Sequence, residues 1–158
     1  KNPIILFSDY AELRNGKRVL KNKLLTIKRV MLSPLKIPAF WNSKFIRRRI
    51  LSFGSAICCP AVTMVKSMMP SNLFEDNMKS NIDWQAWERL SKKTGAFVYV
   101  PIPLMEHRIH EESTTSDLLK DSARRDEDLI VFRKFWPRPV ALLIERVYQK
   151  GEKSNQLK

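Results

Sequence analysis

An α/β fold is predicted for this chain, and three stretches predict it. Ile4–Asp9 (IILFSD) is a short apolar run of the kind that forms a strand buried on both faces. Met78–Gly95 (MKSNIDWQAWERLSKKTG) places Trp84, Trp87 and Leu90 at three-residue spacing and so reads as a helix with one apolar face. Phe97–Val100 (FVYV) follows at once as a further strand, and strand, helix, strand in that order implies a sheet covered by helices.

Taken in order, Tyr10–Leu13 extends the first strand, Asn15-Gly16 is the pair that tight hairpins prefer, and Arg18–Leu20 begins the return. Lys21–Met31 is weakly helical through Leu24, Leu25, Ile27, Val30 and Met31, and Pro34 and Pro38 then force an irregular connection. Ser43–Leu51 reads as a short helix with Phe45, Ile46 and Ile50 inward. Its Arg47, Arg48 and Arg49 form a cationic cluster that suits phosphate or acidic lipid, although such a run is more often only a solvated face. Ala61–Val65, entered through Pro60, reads as a second buried strand.

The central helix has its ends written locally. Ser80 or Asn81 can accept from the free amides of the first turn, Asp83 complements the positive end of the helix dipole, and Gly95 supplies the stop. Gln85, Glu88, Arg89, Lys92 and Lys93 are expected in water. After Phe97–Val100, Pro101 and Pro103 bracket a turn. Thr114 and Asp117 make a capping-box-like start to a helix reaching about Phe135, in which Asp126-Glu127-Asp128 reads as a solvated, ion-pairing face. Trp136–Pro139 breaks the chain, Val140–Tyr148 is an amphipathic helix, and Gly151 opens a frayed polar tail.

With 158 residues, 44% hydrophobic and 28% charged, the chain suits one domain with one core and is too apolar to be disordered. Its 29 Lys and Arg against 16 Asp and Glu, net +13, favour anionic partners without choosing among nucleic acid, acidic lipid and phosphorylated substrates. Adjacent Cys58 and Cys59 exclude a CxxC site and read as free, buried thiols in a reducing compartment. The longest uncharged run, Leu51–Val65, is broken by Gly54 and Pro60 and falls short of the roughly 20 residues of a spanning helix. The opening Lys1-Asn2-Pro3 has no leader pattern and looks cut, as though sequence upstream were missing.

Five segments together resemble the C-terminal part of a family 2 glycosyltransferase with the A-type nucleotide-sugar fold. They are FSDYAELRNGK at Phe7–Lys17, FGSAICCPAVTM at Phe53–Met64, FEDNMKSNIDWQAWERLSK at Phe74–Lys92, FVYVPIPLMEHRIHEESTTS at Phe97–Ser116 and FWPRP at Phe135–Pro139. The weight lies in their order across nearly the whole chain, since DW-x-x-W-x-R-L alone suits any amphipathic helix. The resemblance implies an incomplete A-type domain, a mixed sheet with flanking helices, in which residues 1–112 are the acceptor-side half and residues 113–158 a helical C-terminal extension.

The activity it implies is transfer of a sugar, with inversion, from a nucleotide diphosphate donor to an acceptor hydroxyl on a glycan or lipid-linked acceptor, in surface polysaccharide or glycan assembly. It implies a cytoplasmic enzyme, peripheral at the inner face of the cell membrane. Asp83 matches the family's general base, although Ile82 stands where many relatives carry Glu. Glu75-Asp76 is a decoy on this alignment. Trp84, by stacking on a sugar face, Arg108 and His110 are the candidate substrate-binding residues; His110 matches the family's histidine near the donor diphosphate and is the one candidate metal ligand. On a strand, His107 and His110 face opposite sides and cannot readily share a metal. The complete enzyme is expected to use Mg or Mn held by a DxD motif, which would lie upstream of Lys1 with the nucleotide-binding strands and leave this fragment inactive alone. The competing reading is a noncatalytic basic module for nucleic acid or acidic lipid, and no recognised nucleic-acid motif supports it.

Overall fold

A computed structural model of the chain describes residues 2–109 and 122–153, an α/β arrangement of a mixed four-stranded sheet and five helices. The central strand β1 (Pro3–Arg14) turns at Asn15-Gly16, both with positive φ as a tight hairpin demands, into β2 (Lys17–Val19). Helix α1 (Lys23–Leu32) follows, its first turn capped by the Asn22 side chain. Pro34 and Pro38 then open two turns of 3-10 helix before α2 (Lys44–Leu51), capped by Ser43. The remaining elements are β3 (Val62–Met64), α3 (Ile82–Ser91), β4 (Ala96–Ile109), α4 (Ser122–Phe132) and α5 (Arg138–Lys153).

β1 is paired along both edges, with β4 in parallel on one side and with β3 and β2 antiparallel on the other. It is therefore an interior strand, with Ser8–Ala11 paired to β4 alone. The strand at Phe97–Val100 is much longer than its sequence suggests, because Pro101 and Pro103 do not end it. Val100 lies opposite Ser8, Pro103 opposite Asp9 and Met105 opposite Tyr10, so Pro101, Ile102 and Leu104 have no counterpart in β1. Proline is tolerated in such a bulge on a strand paired along one edge, where no ladder bond needs its missing N–H. β3, by contrast, is only three residues long and largely exposed, not a buried strand.

One core gathers Ile4, Ile5 and Phe7 of β1, Ile50 and Leu51 of α2, Trp84, Trp87 and Leu90 of α3, and Phe97 and Tyr99 of β4. Val131 and Phe132 of α4 and Ala141 of α5 belong to the same cluster, so the C-terminal helices are part of that core. Helix α5 also runs through Gly151 to Lys153, past the residue expected to begin a frayed tail.

The last turn of α3 is closed by the neighbouring Lys92 and Lys93 amides on Arg89 and Leu90, and the segments on either side of the helix are braced from a distance. Neither Ser80 nor Asn81 caps it. The Glu127 carboxylate of α4 accepts from the backbone N–H groups of Lys79 (2.6 Å), Ser80 (2.9 Å) and Asn81 (3.1 Å) and from the Ser80 hydroxyl (2.6 Å). Asn81 Nδ2 donates to Asp128 Oδ1 at 2.7 Å. Glu127 and Asp128 are therefore buried anchors and not a solvated face. At the other end Arg47, fully buried and not part of a wet cationic patch, donates to the carbonyls of Lys93 and Gly95, both at 2.7 Å, with its guanidinium over the Phe97 ring. An anion at the start and a cation past the end match the polarity of the helix dipole.

The rest of the arginine cluster is also engaged. Arg48 pairs with Glu88 at 2.8 Å, Arg49 lies over Trp136 and Phe45, and Phe45 points outward. Glu88 and Gln85 are buried rather than wet: Glu88 takes Arg48 and Lys92, and Gln85 is bound to Glu75, Asn77 and Lys134. Helix α3 ends at Ser91, and Gly95 serves three residues beyond its cap, in the tight entry to β4.

Candidate active site at the entrance of the third helix

The first turn of α3 opens onto a cavity of about 390 Å³ walled by β1, α1, the segment from Ser55 to Pro60, the end of β4 and α4. Asp83 stands in that turn and lines it, with Oδ1 accepting from the Trp84 N–H at 2.7 Å. Burial pushes the Asp83 carboxyl above its ordinary value, opposed by the Trp84 amide, Lys28 and Arg124. A carboxyl raised in this way holds a proton more strongly than an exposed one.

Lys28 is the cation that α1 contributes. Its Nζ donates to the Tyr10 hydroxyl at 3.1 Å and lies over the Tyr10 ring at 5.5 Å. Burial works against the charge of Lys28, but Tyr10 and Cys58 beside it raise its pKa overall. Burial likewise raises the Tyr10 phenol, with Lys28 opposing, and pushes the Cys58 thiol to about 11, so Cys58 is a thiol and not a thiolate at neutral pH. Cys58 is buried as expected, whereas its neighbour Cys59 is exposed. His107 packs edge-on against Tyr10 with ring centres 6.1 Å apart, and Glu12 beside it is held by Arg14 and Asn22, each at 2.7 Å.

Of the expected site residues that are among the described residues, Asp83 alone reaches this cavity. Trp84, next in sequence, turns into the core. It is fully buried, its indole N–H donates to the Leu51 carbonyl at 3.0 Å, and Phe132 and Tyr148 pack on its ring, so neither face is open for a sugar. Arg108 is exposed and alternates to the face of β4 opposite His107 and Ile109, which do line the cavity. His110 lies outside the described residues. Reading the sequence alone missed Lys28, Tyr10, Arg124 and Tyr148. Among the described residues no three His, Cys, Asp or Glu side chains converge as a metal site, and no helix is long and apolar enough to cross a membrane.

No protein-family model, curated protein or solved structure matches this chain.

Proposed function

We propose that the chain is the acceptor-side part of an inverting glycosyltransferase and that Asp83 is its general base. The observation that supports this most directly is the placing of one carboxylate, raised in pKa by burial, at a helix entrance in the wall of a cavity large enough for a sugar hydroxyl and its ring. In the proposed step Asp83 takes the acceptor's hydroxyl proton as that oxygen bonds to the anomeric carbon. The bond from that carbon to the diphosphate breaks on the opposite face, and the nucleoside diphosphate leaves with the electron pair. Lys28 and Arg124 favour the ionised form of Asp83, against its burial.

The described residues offer no ligand set for a divalent ion, so no part of this step runs through one. On this reading the metal and the nucleotide are held by another portion of the complete enzyme, at the inner face of a membrane. The basic-module alternative rests on the net charge of +13. It is weakened by the three consecutive arginines, which are spent inside the fold.

Asp83→Asn in the complete enzyme tests the proposal. The amide keeps the shape, so folding survives, and turnover should fall by at least roughly 100-fold with donor affinity little changed. For the wild type, kcat/KM should fall toward acid with a midpoint above the usual aspartate value of about 3.9, because the protonated base cannot accept a proton. Near-normal turnover in Asp83→Asn would leave Asp83 as a helix-dipole partner only.

A further inference from the structure

The Asp83 cavity does not end at Lys28. A second, apolar groove of about 370 Å³ continues from it between α1, the loop after α2, and α5. Leu24, Lys28, Ser55 and Tyr148 line both spaces. Beyond that junction the walls are aliphatic or aromatic: Ile27 and Met31 from α1, Phe53 from the loop, and Leu143, Ile144 and Val147 from α5. Several of these are left in water at a cost a soluble helix normally avoids, with Leu143 63% and Val147 65% exposed.

Charge is distributed in the opposite sense along the trench. Among the described residues, Lys28 is the sole ionisable side chain in the wall of the apolar groove apart from the Tyr148 phenol, and it sits where the groove meets the polar cavity. Asp83, Glu12 and Arg124 lie on the polar side of that boundary. A ligand matching this profile has a long apolar part, one anionic group at its end, and polar matter beyond. The volume of about 370 Å³, near the lower end of the roughly 300–1,000 Å³ of small-molecule sites, suits a single aliphatic chain.

We infer that the trench binds a single aliphatic chain bearing a phosphate, with the chain along α1 and α5, the phosphate at Lys28, and whatever the phosphate carries beside Asp83. Under the transferase reading, on which this assignment of the cargo rests, the acceptor is a sugar linked through phosphate to a lipid. Binding of the chain and its phosphate does not depend on that reading.

The probe is decyl phosphate, kept below its micelle concentration and titrated calorimetrically into the 158-residue chain, with decanol and inorganic phosphate as its two halves. Decyl phosphate should bind at least tenfold more tightly than either half. Leu143→Asp and Val147→Asp change exposed positions, so the fold should persist, and each should weaken decyl phosphate at least tenfold. Lys28→Met should weaken decyl phosphate about tenfold and leave decanol unchanged. Equal affinity for inorganic phosphate, wild-type binding in both aspartate variants, or uptake only by anionic vesicles and never of the monomeric amphiphile would each overturn the inference. Asp83→Asn should bind decyl phosphate normally. A variant that binds it and also turns over normally would therefore sink the transferase reading alone.

Discussion

Replacing Glu127 by Gln removes one charge from a carboxylate that holds four donors at the head of α3. The amide has one oxygen left to accept, and its NH2 must face N–H groups. Hydrogen bonds to a charged group contribute about 1.5–3 kcal/mol each, against about 0.5–1.5 for neutral ones. The naive difference over four bonds is several kcal/mol, but Lys79 is exposed and Ser80 half-buried, so water recovers part of it. The expected loss is about 2–4 kcal/mol, which for a chain of this length lowers Tm by roughly 4–16 °C.

A pH signature separates this account from simple loss of packing. Burial opposes the charge of Glu127, but the amides of Lys79, Ser80 and Asn81 and the Ser80 hydroxyl outweigh it and hold its pKa below the ordinary value. A carboxyl depressed in the folded state contributes stability that is complete above its unfolded pKa of about 4.3 and is lost as pH falls through the lower folded value. Urea unfolding of the wild type from pH 6 to pH 3 should show this decline, and Glu127→Gln should flatten part of it. Amide exchange at Lys79–Asn81 should also quicken in the variant. A stability change under about 0.5 kcal/mol, or an unaltered acid profile, would refute the view that α4 caps α3 by charge.

Two further outcomes follow from local geometry. Gly95→Ala puts a Cβ 2.6 Å from Ile4 Cγ1 and 2.9 Å from the Asn2 carbonyl at φ +131°, so equilibrium unfolding should show a loss of about 3 kcal/mol or more, and a near-neutral variant would mean the entry to β4 can relax. Iodoacetamide at pH 8 should label exposed Cys59, slowly because burial of its sulfur raises its pKa, and spare Cys58 at about 11 until the chain unfolds; equal labelling of both in the folded protein would contradict the burial of Cys58.

The elements legible in the sequence are those whose signals are local. The Asn15-Gly16 turn, the short helix expected over Ser43–Leu51 and the apolar spacing of Trp84, Trp87 and Leu90 each rest on signals within a few residues, and each appears where the pattern places it. Charged residues misled because charge predicts water only when no partner is near. Arg47, Glu127 and Asp128 find theirs more than thirty residues away, which no periodicity records, and Glu88 has distant Arg48 beside its i,i+4 partner Lys92. Pro101 and Pro103 misled for the reverse reason: proline breaks a ladder only where its N–H is required, and both fall where the register of β4 against β1 shifts.

The candidate site divides along the same line. For Asp83 the local pattern announced the helix entrance and the resemblance alone gave a candidate role; the structure sets the residue in the first turn of α3, in a cavity wall. Lys28 and Arg124 were not legible, since α1 and α4 bring them to Asp83 from 55 and 41 positions away, and nothing in LLTIKRV or ARRDEDL marks a lysine or an arginine as facing a cavity. Trp84 shows the cost of reasoning from residue type alone. One step along α3 turns a side chain by about 100°, enough to carry it from the cavity beside Asp83 into the core beneath Phe132. The same geometry couples the two. Because Trp84 is wedged under Phe132 and Glu127 holds the amides just before α3, helix α4 fixes the rotation and the height of the turn that presents Asp83. A perturbation of α4 that spares the cavity wall should therefore still displace the carboxylate.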